Sequence, residues 1–408
     1  MLKRIGVEHL ITGMFLQELC GSWMEHPFWR SAFVIKDPAD IRRIVDSGIK
    51  EVWIDTAKGL DVKAGQAKEE SDAKVEQTLA TVATPPPRKA PERVPMADEI
   101  KRAAKIVAKS KQAVTTMFNE ARMGRALDAE EAMPLVEEIS GSVSRNPGAI
   151  ISIARLKNKD EYTYMHSVAV CALMISLARQ LGLNEAETRD AGMAGLLHDV
   201  GKMMVSNDVL NKPGKLTDEE FVLVKSHPEA GHKLLMSGKN ISQVALDVCL
   251  HHHEKVDGSG YPHRLKDEQI SLFAKMGAVC DVYDAITSNR PYKAGWDPGE
   301  SLRKMTEWCN GHFDQRVFHA FVKSLGIYPV GSLVRLESGR LGVVVDQTEK
   351  SLLMPRVRVF FSTRSQSHIT PELIDLSLPA ARDKVASPED PQKWKFSNLE
   401  KMMEIATP

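Results

Sequence analysis

At 408 residues, with 54 Lys+Arg balanced by 54 Asp+Glu, the chain is long enough for two or three domains and has no basic field for holding a nucleic-acid polymer. Its five cysteines, Cys20, Cys171, Cys249, Cys280 and Cys309, are odd in number and never spaced as Cys-x-x-Cys, which argues against a disulfide frame or a zinc finger and for reduced thiols in the cytoplasm. No stretch approaches the apolar length of a membrane span, and the N-terminus lacks the layout of a signal peptide.

From residue 1 to 60 the pattern is that of a small α+β module. Gly13–Leu19, Ala32–Ile35 and Glu51–Asp55 read as strands, and Asp37 before Pro38 reads as an N-cap followed by proline at the first helical position. Ile41, Ile44 and Val45 mark one face of that helix, and Gly48 ends it. Residues 61–96 turn to Lys, Glu, Ala, Thr and the run Pro85-Pro86-Pro87, a composition that reads as an extended linker.

Helical patterning resumes near Ala97, and from there to about 325 the chain reads as almost wholly helical: connecting helices over 97–134, then a bundle over 135–325. Asn184 with Glu187, and Thr217 with Glu220, are capping-box signatures. Beyond 325, Val330–Leu336 and Gly339–Val345 read as strands about a Ser338-Gly339 turn, with a third at Arg356–Phe361. They form a small β appendage over 326–380, and 381–408 is a tail. Alternating Arg and Val in the third strand means one wet face.

Two stretches of the helical region carry chemistry: His198-Asp199-Val200-Gly201-Lys202, and His252-His253-Glu254 running on to Asp257-Gly258-Ser259-Gly260-Tyr261-Pro262. Adjacent His and Asp at a helix end offer a metal an imidazole and a carboxylate together, and a carboxylate can bridge two cations. His166 shares a helical stripe with Val170, Leu173, Leu177 and Leu181. His198 lies on a face with the small residues Ala191 and Gly195, His252 with Ala245 and Val248, and Asp281 with Gly277 and Asp284; His227 precedes Pro228 at a helix junction. Any one such histidine is more often a satisfied core residue. Five imidazoles (His166, His198, His227, His252, His253) and two carboxylates (Asp199, Asp281) buried together would be severely destabilising without a metal.

These blocks, in this order, together with Tyr162-Thr163-Tyr164-Met165-His166-Ser167, Asp281-Val282-Tyr283-Asp284 and Arg290-Pro291-Tyr292-Lys293, resemble the HD-GYP family, a branch of the HD phosphohydrolase superfamily that hydrolyses cyclic di-GMP. The match runs from about 135 to 325 and implies a mainly α protein whose centre is an HD-type helical bundle. The resemblance further implies that His166, His198, Asp199 and Asp281 are the ligands shared by the superfamily, that His227, His252 and His253 are the additional HD-GYP ligands, and that Asp199 bridges two metals. Lys202 would sit over the scissile phosphate and Tyr261 would line the nucleotide pocket; Asp284 would lie behind the ligands or contact the nucleotide, and Arg290 and Lys293 would clamp phosphates or guanine. Glu254 and Asp257 would hold their loop through hydrogen bonds, with His251 a mere neighbour.

Some family members hold a third metal through a glutamate one turn before the first histidine. Here Tyr162 stands in that place, with Glu161 one residue off the face. A two-metal site of iron or manganese is therefore expected, cleaving cyclic di-GMP by a metal-bridged hydroxide with linear pGpG as a main product and onward conversion to GMP left open. The alternatives are a silent cyclic di-GMP receptor acting through signalling-protein contacts, or action on another cyclic dinucleotide. A full ligand set with Lys202 retained favours hydrolysis. A homodimer is compatible with all of these. The N-terminal residues Leu2-Lys3-Arg4-Ile5 and Gly13-Met14-Phe15 resemble an uncharacterised domain that recurs beside HD-GYP domains, which implies a regulatory role by analogy.

Overall fold

The computed structural model describes residues 1–20, 32–83, 93–155, 162–210, 212, 216–288, 295–309, 311–396 and 399. They form two compact units, Met1–Thr81 with Thr306–Asn310, and Val82–Met305 with Gly311–Pro408.

The first unit contains β1 (Leu2–Gly6), β2 (Phe15–Cys20), β3 (Phe33–Val34), α1 (Pro38–Asp46), β4 (Glu51–Asp55) and β5 (Gln66–Ala67), followed by α2 (Lys68–Ala83). Its antiparallel sheet runs β3-β2-β4-β1-β5. Ile5, Leu16, Val52 and Ile54 from the strands meet Ile44 of α1 in one core. Asp37 caps α1 as its sequence predicts, accepting from the Ala39 N–H at 2.8 Å. The linker expected over 61–96 is corrected by α2. Ser71, Val75, Leu79 and Val82 are buried at helical spacing, so a Lys/Glu-rich composition here is the wet side of an amphipathic helix. The proline run 85–87 lies outside the described residues.

The second unit is the bundle: α3 (Met96–Arg122), α4 (Ala129–Arg145), α5 (Pro147–Arg155), α6 (Tyr162–Leu181), α7 (Glu185–Leu197), α8 (Asn207–Leu210), α9 (Asp218–Lys225), α10 (His227–Met236), α11 (Gln243–His251), α12 (Leu272–Thr287), α13 (Pro298–Trp308) and α14 (Gln315–Leu325). At its centre α6 packs against α7, α12, α5, α3, α14 and α4. Within this helix Thr163–Leu181 reaches the apolar length of a membrane span by length and composition. Most of it is buried among neighbouring helices, which is why it is apolar on every side. Each fully buried Leu or Ile on it is worth about 1.5–3 kcal/mol relative to exposure. Gly195 brings α7 onto α6: a Cβ there would stand 2.9 Å from Val170 O and 3.0 Å from Cys171 Cα.

Both predicted capping boxes are present, Asn184 with Glu187 and Thr217 with Glu220. Glu99, fully buried on α3, accepts from Arg145 Nε at 2.7 Å, Arg145 Nη2 at 2.8 Å and Ser142 Oγ at 2.8 Å, tying α3 to α4. Burial pushes its carboxyl up, but the Arg145 and Ser142 contacts outweigh this and hold it below the ordinary glutamate value. That contribution is full above the unfolded value of about 4.3 and is lost as pH falls through the lower folded value. Because Arg145 is 35% exposed, the loss on Glu99→Gln is set at about 2–3 kcal/mol, beneath the range for a fully buried pair. Denaturant midpoints should show that gap at neutral pH and show it narrowing as pH falls below the ordinary glutamate value.

The C-terminal sheet runs β10-β6-β7-β8-β9 through β6 (Leu333–Leu336), β7 (Arg340–Asp346), β8 (Arg356–Ser362), β9 (Ser367–Asp375) and β10 (Val385–Pro388). Val334, Val344, Val357 and Val359 cover one face, while Leu333, Leu341, Val343, Phe360 and Phe361 cover the other, with Trp394 and Phe396 laid on them. The expected tail over 381–408 is thus corrected: β10 pairs with β6, and Trp394 and Phe396 finish a core. Asp297 fastens the appendage to the bundle, accepting from Leu333 N at 2.9 Å and from Gly299 N at 2.8 Å.

Candidate metal centre

Three of the predicted histidines stand at helix C-terminal ends. The last carbonyls of a helix have no partner within it. His198, capping α7, gives its Nδ1–H to Gly195 O at 2.8 Å; His227, just past α9, gives its own to Val224 O at 2.7 Å; His252, capping α11, gives its own to Val248 O at 3.0 Å. A carbonyl only accepts, so Nδ1 carries the hydrogen and Nε2 of each neutral ring presents a lone pair. His166, on α6, is held the same way by a carboxylate, Nδ1 to Asp284 Oδ2 at 2.6 Å.

Those four Nε2 atoms converge on Asp199. Its Oδ2 is 3.4 Å from His166 Nε2 and 3.4 Å from His198 Nε2, and its Oδ1 is 3.3 Å from His227 Nε2 and 3.8 Å from His252 Nε2. Each carboxylate oxygen therefore serves one imidazole pair. Ligand atoms of Asp199, His227, His252 and His253 all lie within 4.8 Å of one another, as do those of His166, His198 and Asp199. Asp281 on α12 spans the groups, with Oδ1 2.9 Å from His166 Nε2 and Oδ2 3.7 Å from His253 Nδ1. All seven predicted ligands are buried and brought together.

The arrangement fits divalent cations. His166 and His198 point Nε2 at Nε2 over 3.2 Å, and His227 and His252 do so over 3.4 Å. For His227 and His252 both Nδ1 hydrogens are already given to carbonyls, so the neutral rings oppose two lone pairs, an arrangement that a shared cation relieves. Asp199 Oδ1 and His253 Nε2 are buried without a hydrogen-bond partner, as expected of atoms that face an ion.

The electrostatics agree. Burial pushes the Asp199 carboxyl up, but Lys202 and the surrounding imidazoles overcome it and hold it well below the usual range; His166 and His198 do the same for Asp281. Burial, reinforced by neighbouring imidazoles, pushes His252 down to about 3 and His253 well below its ordinary value. Burial also pushes His166 down, yet hydrogen bonds to Asp281 and Asp284 leave it raised. Asp199 and Asp281 are thus held as carboxylates and His252 and His253 as neutral imidazoles, the protonation states that ligate.

Around it, Lys202 donates to Asp199 Oδ2 from the short helical turn Val200–Met204. Gly201 lies against α10, where a Cβ would collide with His227 O and stand 2.8 Å from Gly231 Cα. Tyr261 stacks on His253, ring centroids 4.7 Å apart. Glu254 accepts from His263 N at 2.7 Å and Leu265 N at 3.0 Å, and Asp257 from Ser259 N at 2.9 Å, so both hold their loop. His251 turns away to Asp247, 2.7 Å from Nδ1.

Of the two places expected of Asp284, behind the ligands or on the nucleotide, the fold puts it behind His166: it is buried, with one oxygen on that ring and the other accepting from Ser288 Oγ at 3.3 Å. Arg290, Lys293 and Glu161 lie outside the described residues, as does the side chain of Tyr162. The carbonyl contacts of Gly195, Val224 and Val248 escape a sequence reading because every residue has a carbonyl. Their one signal is the placing of histidines at predicted helix ends.

A family profile described as a domain of unknown function, DUF3391, matches residues 2–132, and one described as an HD domain matches 149–317. Cyclic di-GMP phosphodiesterase PA4108 of Pseudomonas aeruginosa is 55% identical over 403 residues, which cover 98% of this chain and 95% of that protein. The cyclic di-GMP phosphodiesterase response regulator RpfG of Xanthomonas campestris is 44% identical over 148 residues, 36% of this chain and 39% of its own. A 3'3'-cGAMP-specific phosphodiesterase 3 of Vibrio cholerae is 35% identical over 171 residues, 42% of this chain and 37% of its own. With more than half of its residues shared along nearly the full length of the Pseudomonas protein, and an HD-domain profile over the metal-gathering helices, this chain belongs to the HD-GYP family of HD-domain proteins.

Proposed function

We propose that this chain hydrolyses cyclic di-GMP to linear pGpG at two divalent cations, held by His166, His198, Asp199 and Asp281 on one side and by Asp199, His227, His252 and His253 on the other. The observation that carries this is the division of Asp199, one oxygen toward each imidazole pair. A ligand set rich in imidazole suits iron or manganese better than magnesium or calcium. Cations bound there lower the pKa of water and draw charge from the phosphoryl oxygens.

The chain's own residues do the rest. Helix-end carbonyls and Asp284 aim four imidazoles, so the site is preorganised. Lys202, whose ammonium lies at Asp199 with 19% of the side chain exposed, stands where a phosphate oxygen would meet it. Tyr261 shields His253 by stacking on it and forms a wall of the nucleotide pocket. Arg290 and Lys293 are assigned to the phosphates or guanine by family resemblance. Water adds to phosphorus, the bond to the 3′ oxygen breaks, and a linear dinucleotide with a 5′ phosphate leaves. Tyr162 in place of a carboxylate, one turn before His166, supports two cations rather than three and pGpG as the main product. Regulation by the N-terminal module, through signalling-protein contacts or a homodimer, and a cytoplasmic location complete this reading, as does the domain plan with catalysis confined to 135–325.

The test is incubation of the metal-loaded protein with cyclic di-GMP, with pGpG and GMP resolved by chromatography and cyclic GMP-AMP run in parallel. Accumulation of pGpG is expected. Intact cyclic di-GMP at full metal content would overturn the proposal in favour of a receptor, and faster turnover of cyclic GMP-AMP would reassign the substrate.

A further inference from the structure

Beside Lys202 a second ammonium stands close to the imidazole cluster, and no motif points to it. Lys225 is the last residue of α9, the helix whose end also supplies the carbonyl that aims His227. Its Nζ lies 4.6 Å from the ring centroid of Phe221, one turn earlier on the same helix, and 5.0 Å from that of Tyr261. Tyr261 in turn stacks on His253 at an interplanar angle of 23°. Two aromatic rings thus hold a long, flexible side chain in one place. The row Lys225–Tyr261–His253 leads directly to the metal ligands.

A cyclic dinucleotide carries two phosphodiesters on opposite sides of a twelve-membered ring. When one lies at the imidazole cluster, with Lys202 against Asp199, the other is still an anion. Resting on the reading of the site given above, we propose that Lys225 binds the non-scissile phosphate of the cyclic dinucleotide, and so favours cyclic dinucleotides over simple phosphodiesters. The Phe221 and Tyr261 rings fix the ammonium before the substrate arrives, so little freedom is lost when the ion pair forms.

The experiment compares the full chain with Lys225→Met and Lys225→Arg on two substrates, cyclic di-GMP and bis(p-nitrophenyl) phosphate, a diester with a single phosphorus. In Lys225→Met, KM for cyclic di-GMP should rise about tenfold with kcat little changed, as when a binding contact is removed. On bis(p-nitrophenyl) phosphate its kcat/KM should equal that of the wild type, and its metal content should be unchanged. Lys225→Arg should recover most of the lost affinity. If Lys225→Met loses activity equally on both substrates, the side chain only braces Tyr261 and His253, and the proposal falls; an unchanged KM for cyclic di-GMP would also overturn it. If the wild type cleaves bis(p-nitrophenyl) phosphate but leaves cyclic di-GMP intact, the substrate assignment fails first and takes this role with it.

Discussion

Asp199→Ala should leave a folded protein with neither its metals nor its activity. Every Nε2 in both imidazole pairs lies within 3.8 Å of an oxygen of this one carboxylate. Removing it takes a ligand from each cation at once and leaves Asp281 as the remaining anion among the seven ligands. The expected result is a metal-to-protein ratio, by mass spectrometry, that falls from two towards zero, and a kcat/KM at least about a thousandfold lower. Asp199→Asn, which keeps the shape and removes the charge, should do nearly as much harm. In metal-free protein Asn should also be the less stable, because Lys202 and the surrounding imidazoles hold the Asp199 carboxyl well below its usual range, so the fold favours its charged form. Turnover persisting in metal-free Asp199→Ala would remove the basis of the proposed reaction.

Gly201→Ala should be nearly as damaging, for a steric reason. Gly201 and Gly231 let the turn after Asp199 lie directly on the start of α10, and the atoms a methyl group would strike are main-chain atoms of His227 and Gly231. Main chain cannot swing aside as a side chain can, so α10 has to move and carry the His227 imidazole off Asp199 Oδ1, from which it now stands 3.3 Å. Overpacking against rigid backbone belongs at the upper end of its usual range, about 3 kcal/mol, which in a domain of this size lowers Tm by about 6–12 °C. Displacing His227 should cost a further tenfold to hundredfold in metal affinity. Calorimetry on the metal-free protein and metal titration separate the two effects. An unchanged Tm would mean that α10 yields more readily than this packing implies.

What the sequence reveals and conceals follows from where the information sits. The seven candidate ligands are legible as a buried group because a helix repeats every 3.6 residues, so His166, Asp281 and the pairs at helix ends fall on faces already marked as buried by Val170, Leu173, Ala191 and Val248. The glycine and carboxylate of the His-Asp motif are legible as chemistry, but the reason for Gly201 shows only once α10 lies against it. Strands β9 and β10 are edge strands that contain Pro371 and Pro388, tolerated there because an edge leaves one row of donors unused. For the same reason neither has the apolar alternation that marks an inner strand. Strand β1 is hidden by Lys3 and Arg4, although it pairs on both sides; of its five residues only Ile5 is buried. In α2 one buried stripe is diluted by lysines and glutamates that a solvated linker would also contain.

The helix-end carbonyls behind His198, His227 and His252 bear on what happens when the centre is emptied. A ring pinned from behind by main chain cannot flip to satisfy itself elsewhere, so chelation should strip charge from the pocket without scrambling its geometry. Reloading then amounts to diffusion into a waiting socket rather than a refolding event, and full activity should return to chelated protein within the time of mixing. Transplanting this centre into another helical scaffold would accordingly call for three helix endings at the right places, each with a histidine that reaches back to a carbonyl one turn behind it.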